Sequence, residues 1–404
     1  MIAASVCTPS RAALLTGRLG HRTGIIRNFG SHSVAGLPLN ESTCGEVFQA
    51  HGYATAHMDE QYGRGSCDMS VALPLYENTT VIEQPVTLQT LTARYVDKIR
   101  KFIQVSGNKP FLMYVGFAHV HVPLAYHSVF TNTSTKGAFG NALREMDAAV
   151  GDIVAAIDEA GLTDSTMVWF TGDNGPWAEK CNLAGSQGPF TGAWQKMHGG
   201  GSTAKKTVWE GGHREPAIVY WPGKISPGTT SAALTSTLDI FPTLAAIANV
   251  SMPPNRRYDG KDIRSVLFAG DPLGNTFLFH PNSGAAGQDG DIDAVRFGSY
   301  KAVYMTGGAA DCGSIVGPSV KHDPPLLFDL SDDPTESTPL NTSRGPYREI
   351  LKIIEQAKRD KLADIASDNI SVANYDTDPN VKVCCNRADP LCRCKNMDAP
   401  LRWP

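Results

Sequence analysis

Alternating strand-like and helix-like segments between residues 53 and 221 are the strongest constraint on the fold. The strand-like segments are short and apolar, whereas the helical ones place apolar side chains on one face at helical spacing. The predicted strands are 53–58, 111–117, 166–170 and 217–221, and the predicted helices between them are 88–105 and 142–160. Strand, helix and strand in this order predict an α/β fold with a central, mainly parallel sheet that helices flank on both faces. Ligands of such sheets bind beyond the carboxyl ends of the strands.

A smaller second domain is predicted after residues 252–274, a looser stretch that contains Pro, Gly and Asp. We place the boundary there, which gives a first domain over 1–272 and a second over 273–404. The second domain is predicted to contain strands at 276–279 and 294–305, a helix over 348–366 and a cysteine-rich tail. It should therefore form a small antiparallel sheet with one helix.

Charge and hydropathy give no indication of nucleic acid as a partner or of a segment that spans a membrane. A net charge of −4 over 404 residues gives no basis for binding nucleic acid. No apolar stretch is long enough to span a bilayer.

Nine cysteines are many for a cytosolic protein. If Cys7 is set aside for the chemistry below, the other eight permit disulfides whose pairing the sequence does not give: Cys44, Cys67, Cys181, Cys312, Cys384, Cys385, Cys392 and Cys394. The spacing in the tail does not fit the common tetrahedral zinc patterns, so disulfides are favoured over a zinc knuckle.

Six Asn-x-Ser/Thr tripeptides are candidates for N-glycosylation: Asn40, Asn78, Asn132, Asn249, Asn341 and Asn369. Each alone is a weak signal, because such tripeptides also arise by chance. Together with the cysteines they favour passage through the secretory pathway, with a lysosomal or extracellular destination.

The run CTPSRAALLTGR, from Cys7 to Arg18, combines a nucleophile with the start of a helix. Pro9 suits a first helical turn and Gly17 suits a helix end. Cys7 should then lie at a helix N-terminus, where unpaired N–H groups and the helix dipole favour an anion. Arg11, about one turn later, offers a fork of donors to sulfate or phosphate oxygens. The alternative interpretation is a structural cysteine that precedes an ordinary helix.

Asp173 and Asn174 follow the predicted strand 166–170. Their carboxylate and amide oxygens are hard ligands that suit calcium or magnesium. Asp-Asn-Gly is also a common turn sequence, so the motif alone does not decide between a metal site and a turn.

Titratable and cationic residues lie in two further loops. His119 and His121 follow the predicted strand 111–117, and imidazole can pass a proton to a leaving group near neutral pH. Lys205 and Lys206 precede a Glu-Gly-Gly turn, and each could hold an anion. A structural histidine and a solvated lysine pair are the alternatives.

These segments resemble the formylglycine-dependent sulfatases, and most resemble arylsulfatase A and the N-acetylgalactosamine-6-sulfatase-like members. Cys-x-Pro-Ser-Arg followed by Thr-Gly-Arg carries the likeness, supported by Asp-Asn-Gly at 173–175 and Glu-Gly-Gly at 210–212. The resemblance implies an alkaline-phosphatase-like fold and hydrolysis of sulfate esters. It also implies that a formylglycine-generating enzyme oxidises the cysteine to formylglycine, whose hydrate is the nucleophile.

The resemblance also assigns roles to individual residues. The implied catalytic residues are Cys7, Arg11, His121 and Lys205, and the implied ligands of a divalent metal, calcium ahead of magnesium, are Asp173, Asn174 and Cys7. Lys206 is the rival of Lys205, and His119 is a weaker candidate than His121. The implied substrate is a sulfated small molecule, glycan or glycolipid, and a homo-oligomer is left open.

The sequence departs from the family pattern in two places. After Gly52-Tyr53-Ala54-Thr55 the family continues with a Lys-x-His segment that is absent here, and the spacing does not support His57 or Arg64 as substitutes. The resemblance further implies a signal and a strand with paired aspartates ahead of Cys7. We therefore expect a chain that lacks its front and an internal segment and is impaired in catalysis. The alternatives are a non-catalytic sulfatase-like binding protein and a phosphatase or phosphonate hydrolase on the same fold.

Overall fold

The computed structural model describes residues 1–30, 33–58, 74–84 and 86–378. The helices are α1 (Cys7–Thr16), α2 (Gly20–Thr23), α3 (Cys44–Ala50), α4 (Leu88–Ser106), α5 (Gly137–Glu159), α6 (Ala193–Met197), α7 (Glu210–His213), α8 (Ile240–Ile247), α9 (Arg264–Ala269) and α10 (Gly345–Ala366). The strands are β1 (Ala54–Met58), β2 (Leu75–Glu77), β3 (Thr80–Glu83), β4 (Phe111–Val115), β5 (Val168–Thr171), β6 (Ala217–Tyr220), β7 (Phe277–Pro281), β8 (Ile292–Phe297), β9 (Tyr300–Thr306) and β10 (Val320–Asp329).

The strands and helices predicted from periodicity are present with small shifts at their ends. The largest shift is in α5, which begins at Gly137 rather than at residue 142. None of the described helices is both long and apolar enough to cross a bilayer.

The described residues form two compact units that are interleaved along the sequence. The first unit contains residues 1–28, 37–55 and 160–373, and the second contains the described residues of 29–36, 56–159 and 374–378. The division into 1–272 and 273–404 stays a prediction.

A strand–helix–strand arrangement organises the second unit. β1 pairs with β4, and α4 lies between them in sequence. The amide of Gly116 donates to the carbonyl of Met58 at 2.6 Å, so the two strands end side by side, as parallel strands do. The helix α4 buries Leu91, Tyr95 and Ile99 along one face, which is the face that its apolar period indicates.

A four-stranded antiparallel sheet in the first unit has the order β10-β9-β8-β7. Because side chains alternate across a strand, neighbouring residues of one strand face opposite layers. Val295 and Ala302 belong to a core cluster with Ile354 of α10. Ala294 and Val303 instead pack in a cluster with Trp209. The predicted antiparallel sheet with one helix is therefore present. The helix α10 packs on one face of the sheet, and the loop before α7 packs on the opposite face.

The strands β5 and β6 form an antiparallel pair in the same unit, with Val168 opposite Tyr220 and Thr171 opposite Ala217. Among the described residues these two strands form a two-stranded sheet of their own. The pair ends where the Asp-Asn-Gly segment begins, so Asp173 lies at a strand end, as predicted.

Candidate active site

The helix α1 begins at Cys7, and its residues Pro9, Ala12 and Ala13 are buried. Gly17 ends the helix with a left-handed φ of 68°, and its N–H donates to the carbonyl of Ala13. This is the helix that the sequence predicts, with glycine at the position that needs a positive φ. Cys7 is a partly exposed free thiol at the N-terminus of α1.

Lys205 contacts the candidate nucleophile. Its Nζ lies 3.1 Å from Cys7 Sγ, and the residue is only 5% exposed. The backbone N–H of Lys205 donates to the carbonyl of Pro176, and that of Lys206 donates to the carbonyl of Ser5. Two hydrogen bonds therefore fix this loop between the Asp-Asn-Gly segment and the residues before Cys7. An ammonium group at this distance can hold an anion attached to residue 7, which favours Lys205 over Lys206 for that role.

Arg11 joins the helix to the end of β5. Its Nε donates to Asp173 Oδ2 at 2.9 Å, and both side chains are partly exposed. Arg11 lies four residues after Cys7 and thus on the same side of the helix. The structure therefore brings four predicted residues together in the first unit: Cys7, Arg11, Asp173 and Lys205.

Asn174 carries an unsatisfied polar atom at this place. Its Oδ1 is buried without a hydrogen-bond partner among the described residues, while its Nδ2 donates to the carbonyl of Gly175. A buried amide oxygen normally has a partner, and a cation would provide one. The carboxylate of Asp173 precedes it, so the two oxygens fit a hard divalent cation.

The donor set that the described residues offer is nevertheless small. No group of three or more His, Cys, Asp and Glu side chains in the described ranges is arranged to hold a metal ion. Calcium takes six to eight oxygen ligands and magnesium takes six. The oxygens of Asp173 and Asn174 are therefore of the type that a divalent cation binds, but they supply only part of its coordination shell.

Glu215 is a carboxyl group that the sequence gave no reason to select. Its side chain lies against Gly172, where a Cβ would come within 2.4 Å of Glu215 Oε2. Burial, and then the negative charge of Asp173, raise the pKa of Glu215 to about 8. The only signal for it was its place just after the Glu-Gly-Gly turn, two residues before β6.

A buried ionic cluster holds the loop that carries Lys205. Lys301 Nζ lies 3.0 Å from Glu210 Oε1 and 2.8 Å from Glu336 Oε1, and all three side chains are fully buried. Burial raises the pKa of Glu210, but the cations Lys301 and Arg296 outweigh this effect and hold the pKa below its ordinary value. Burial raises the pKa of Glu336; Lys301 opposes that rise and Glu210 adds to it.

This cluster explains why the Glu-Gly-Gly turn is structural. Glu336 Oε2 also accepts a hydrogen bond from the backbone N–H of Glu210 at 2.8 Å. Lys301 and Glu336 come from the antiparallel sheet and the segment that follows it, far along the chain from Glu210. Sequence patterns indicate only which residues of one helix or strand share a face, so they do not predict that Lys301 and Glu336 contact Glu210.

The predicted histidines lie in the second unit. His121 Nδ1 is 2.7 Å from the carbonyl oxygen of Val122. His119 Nε2 is 2.8 Å from Glu145 Oε2, and both of those side chains are nearly fully buried. The contact fits a structural role for His119, whereas the role of His121 stays a prediction. His57 lies in β1 with its ring against Tyr114, and Arg64 lies outside the described residues.

The cysteines other than Cys7 fall into three groups. Cys181 and Cys312 form a disulfide. Cys44 is a free thiol among the described residues, and burial raises its pKa to about 12, which makes it a poor nucleophile. Cys67 and the four cysteines of the tail lie outside the described residues.

All six candidate glycosylation sites are exposed: Asn40, Asn78, Asn132, Asn249, Asn341 and Asn369. Their side chains are therefore accessible, while their modification stays a prediction.

Comparison with known sequences gives consistent matches. The sequence profile of the family described as Sulfatase matches residues 1–250, and that of the C-terminal region of aryl-sulfatase matches residues 274–394. Arylsulfatase G of Rattus norvegicus is 45% identical over 446 residues, which is 97% of this chain and 84% of the relative. Arylsulfatase A of Homo sapiens is 33% identical over 439 residues, covering 95% of this chain and 84% of the relative. Both matches run over more residues than the 404 of this chain, so the relatives have internal residues without a counterpart here.

Solved structures agree at the level of the fold. The crystal structure of the PsFucS1 sulfatase from Pseudoalteromonas superposes with a TM-score of 0.75 at 22% identity, covering 94% of this chain and 83% of that one. A sulfatase from Bacteroides thetaiotaomicron superposes with a TM-score of 0.69 at 21% identity, covering 89% and 90%. These likenesses confirm the predicted alkaline-phosphatase-like α/β fold with its smaller antiparallel sheet.

Proposed function

Because this chain belongs to the sulfatase family and is related to arylsulfatase A, we propose that it hydrolyses sulfate esters through a formylglycine made from Cys7. The observation that carries the proposal is the contact between Lys205 Nζ and Cys7 Sγ at 3.1 Å, at the N-terminus of α1. A cation and a helix N-terminus both favour negative charge on a group attached to residue 7.

We assign each of these residues a role in the reaction. Cys7 is first oxidised to the aldehyde by a formylglycine-generating enzyme and then hydrated. One hydroxyl of the hydrate gives up its proton to solvent and attacks sulfur, the S–O bond to the alcohol breaks, and the alcohol leaves with a proton from His121. Lys205 and Arg11 stabilise the charge on the sulfate oxygens. The second hydroxyl then loses its proton and expels sulfate, which restores the aldehyde. The role of His121 rests on the family motif alone.

Asp173 and Asn174 would hold the divalent cation that the family uses, with calcium ahead of magnesium. Such an ion acts as a Lewis acid and lowers the pKa of a hydroxyl bound to it. Arg11 orients Asp173 through the contact at 2.9 Å. The unpartnered Oδ1 of Asn174 supports this assignment.

The substrate class is a sulfated small molecule, glycan or glycolipid. The disulfide between Cys181 and Cys312 and the six exposed sequons support synthesis in the secretory pathway, with a lysosomal or extracellular destination. We also infer that turnover is slower than that of a sulfatase with the Lys-x-His segment. Those residues contact the sulfate and the formylglycine hydroxyls in the family.

Turnover of an aryl sulfate tests the proposal. The chain is produced in cells that contain a formylglycine-generating enzyme and is assayed with 4-nitrophenyl sulfate, beside the Cys7→Ala variant. We expect slow hydrolysis that Cys7→Ala abolishes and that a chelator of divalent cations suppresses. Hydrolysis that is equal in both proteins would contradict the proposal. An aldehyde at residue 7 without any hydrolysis would instead favour a non-catalytic binding protein. Preference for 4-nitrophenyl phosphate would favour a phosphatase.

A further inference from the structure

The helix α5 buries a carboxyl group among apolar residues. Glu145 is 5% exposed and Asn141, one turn before it, is 3% exposed, while the neighbouring buried residues Ala142 and Ala149 are apolar. A buried carboxylate is unfavourable unless hydrogen bonds compensate it. The hydrogen bonds of Glu145 must therefore offset the loss of its hydration.

The carboxylate of Glu145 contacts the loop that follows β4. Its Oε2 lies 2.8 Å from Nε2 of His119, whose side chain is also nearly fully buried. Both carboxylate oxygens lie 3.3 Å from the backbone nitrogen of His127. A carboxylate is an acceptor only, so the His119 ring and the His127 backbone both donate to it. Glu145 thus holds both ends of residues 119–127 on α5.

A second polar residue of α5 supports the same loop. Asn141 Nδ2 donates to the hydroxyl oxygen of Tyr126 at 3.2 Å, and Asn141 Oδ1 accepts from the backbone N–H of Ser134 at 3.1 Å. Asn141 and Glu145 are four residues apart and therefore lie on one face of the helix. The buried polar face of α5 thus holds the loop and the segment that follows it.

His121 lies within this loop. Its backbone N–H donates to the carbonyl of Ala118 at 3.0 Å, and its Nδ1 lies 2.7 Å from the carbonyl oxygen of Val122. A carbonyl oxygen only accepts hydrogen bonds, so Nδ1 carries a proton. Under the proposed function, the proton for the leaving alcohol is then carried by Nε2. Because the ring is bonded to the backbone of its own loop, its direction depends on the conformation of that loop.

We propose that Glu145 is a positioning residue, which fixes the backbone of residues 119–127 and thereby the direction of the His121 ring. This inference rests on the proposed function, because it concerns the proton that His121 gives to the leaving alcohol. As the S–O bond breaks, its electron pair stays on the alcohol oxygen, and the proton of Nε2 moves to that oxygen. The neutral ring then regains a proton from solvent. A displaced ring loses much of the about 10²–10⁴-fold that general acid catalysis contributes.

The dependence of the rate on the leaving group tests the inference. 4-Nitrophenolate is a weak base that leaves readily without a proton, whereas the more basic phenolate depends more on a general acid. Glu145→Gln preserves the size of the side chain but places an NH₂ donor against one of the two N–H groups that Glu145 accepts. We expect kcat to fall about 100-fold for phenyl sulfate and about tenfold or less for 4-nitrophenyl sulfate. The ratio of the two rates should therefore change by about tenfold or more.

Two controls separate positioning from a general loss of folded protein. A smaller fraction of folded or formylglycine-bearing protein lowers both rates equally and leaves their ratio unchanged. Glu159→Gln removes a carboxylate from the exposed end of α5, where it pairs with Arg100 at 2.7 Å, and should leave both rates unchanged. In the His121→Ala background, Glu145→Gln should not change the ratio further. A ratio that Glu145→Gln leaves unchanged, or changes equally with and without His121, would overturn the inference.

Failure of the proposed function gives a different result. If neither ester is hydrolysed, the sulfatase proposal fails, and the ring of His121 is then followed by nuclear magnetic resonance of protein that contains ¹⁵N-labelled histidine. We expect His121 to be protonated at Nδ1 in the unaltered protein and in Glu159→Gln, and its ring ¹⁵N shifts to change in Glu145→Gln. Identical His121 shifts in these proteins would overturn the positioning role of Glu145.

Discussion

Replacing Lys301 with methionine should destabilise the first unit strongly. The ammonium group compensates two fully buried carboxylates, Glu210 at 3.0 Å and Glu336 at 2.8 Å. Removing one partner of a buried ion pair costs about 3–5 kcal/mol, because the remaining charge is left uncompensated. With a urea m value of about 3 kcal/mol/M, the unfolding midpoint should fall by about 1 M or more.

Urea titration followed by tryptophan fluorescence measures this change. Trp209 is a suitable probe, because it packs against Phe328 in the core beside the cluster. Lys352→Met removes a lysine that is 61% exposed and serves as the control, with no measurable shift expected. Adding Glu336→Gln to Lys301→Met removes one stranded charge and should restore part of the loss. A midpoint in Lys301→Met equal to that of the control would refute the reasoning.

Three further predictions follow from the site and its surroundings. Lys205→Met should lower kcat/KM for an aryl sulfate by about 10²–10³-fold, measured by steady-state kinetics, because a donor to the sulfate is lost; an unchanged value would remove Lys205 from the site. Burial lowers the pKa of His213 to about 3, below its ordinary value of 6.5. Its contribution to stability is therefore present above about pH 6.5 and is lost as pH falls toward 3, by about 2 kcal/mol at pH 5. His213→Asn should flatten the fall in urea midpoint between pH 7 and pH 5. Enzymatic removal of N-glycans from the secreted protein should lower its mass, and an unchanged mass would contradict the assignment of the six sequons.

Local patterns predicted the elements of this fold well. The apolar period of α4 and the Pro and Gly residues around α1 place those helices to within one or two residues. At the start of α3, Thr43 and Glu46 form a capping box. The start of α5 was placed too late, because its first turn carries Gly137 and Gly140, which weaken a helical pattern.

Contacts between distant segments could not be predicted in the same way. The motifs selected Cys7, Arg11, Asp173 and Lys205 as residue types suited to sulfate chemistry. The distances among them depend on how the loops before α7 and after β5 pack, which no local pattern reports. Lys301, for the same reason, looked like an ordinary strand lysine although it is fully buried. Periodicity describes one element at a time, whereas a buried charge is set by residues from several elements.

The chemical state of residue 7 is the most direct test of the account. Digestion of the protein from a formylglycine-competent host releases the peptide from Met1 to Arg11, whose mass is measured by mass spectrometry with and without an aldehyde-specific reagent. We predict a peptide in which the thiol of Cys7 has been replaced by an aldehyde that the reagent captures. A peptide that carries an intact thiol, or a thiol in a disulfide, would contradict a formylglycine-dependent sulfatase.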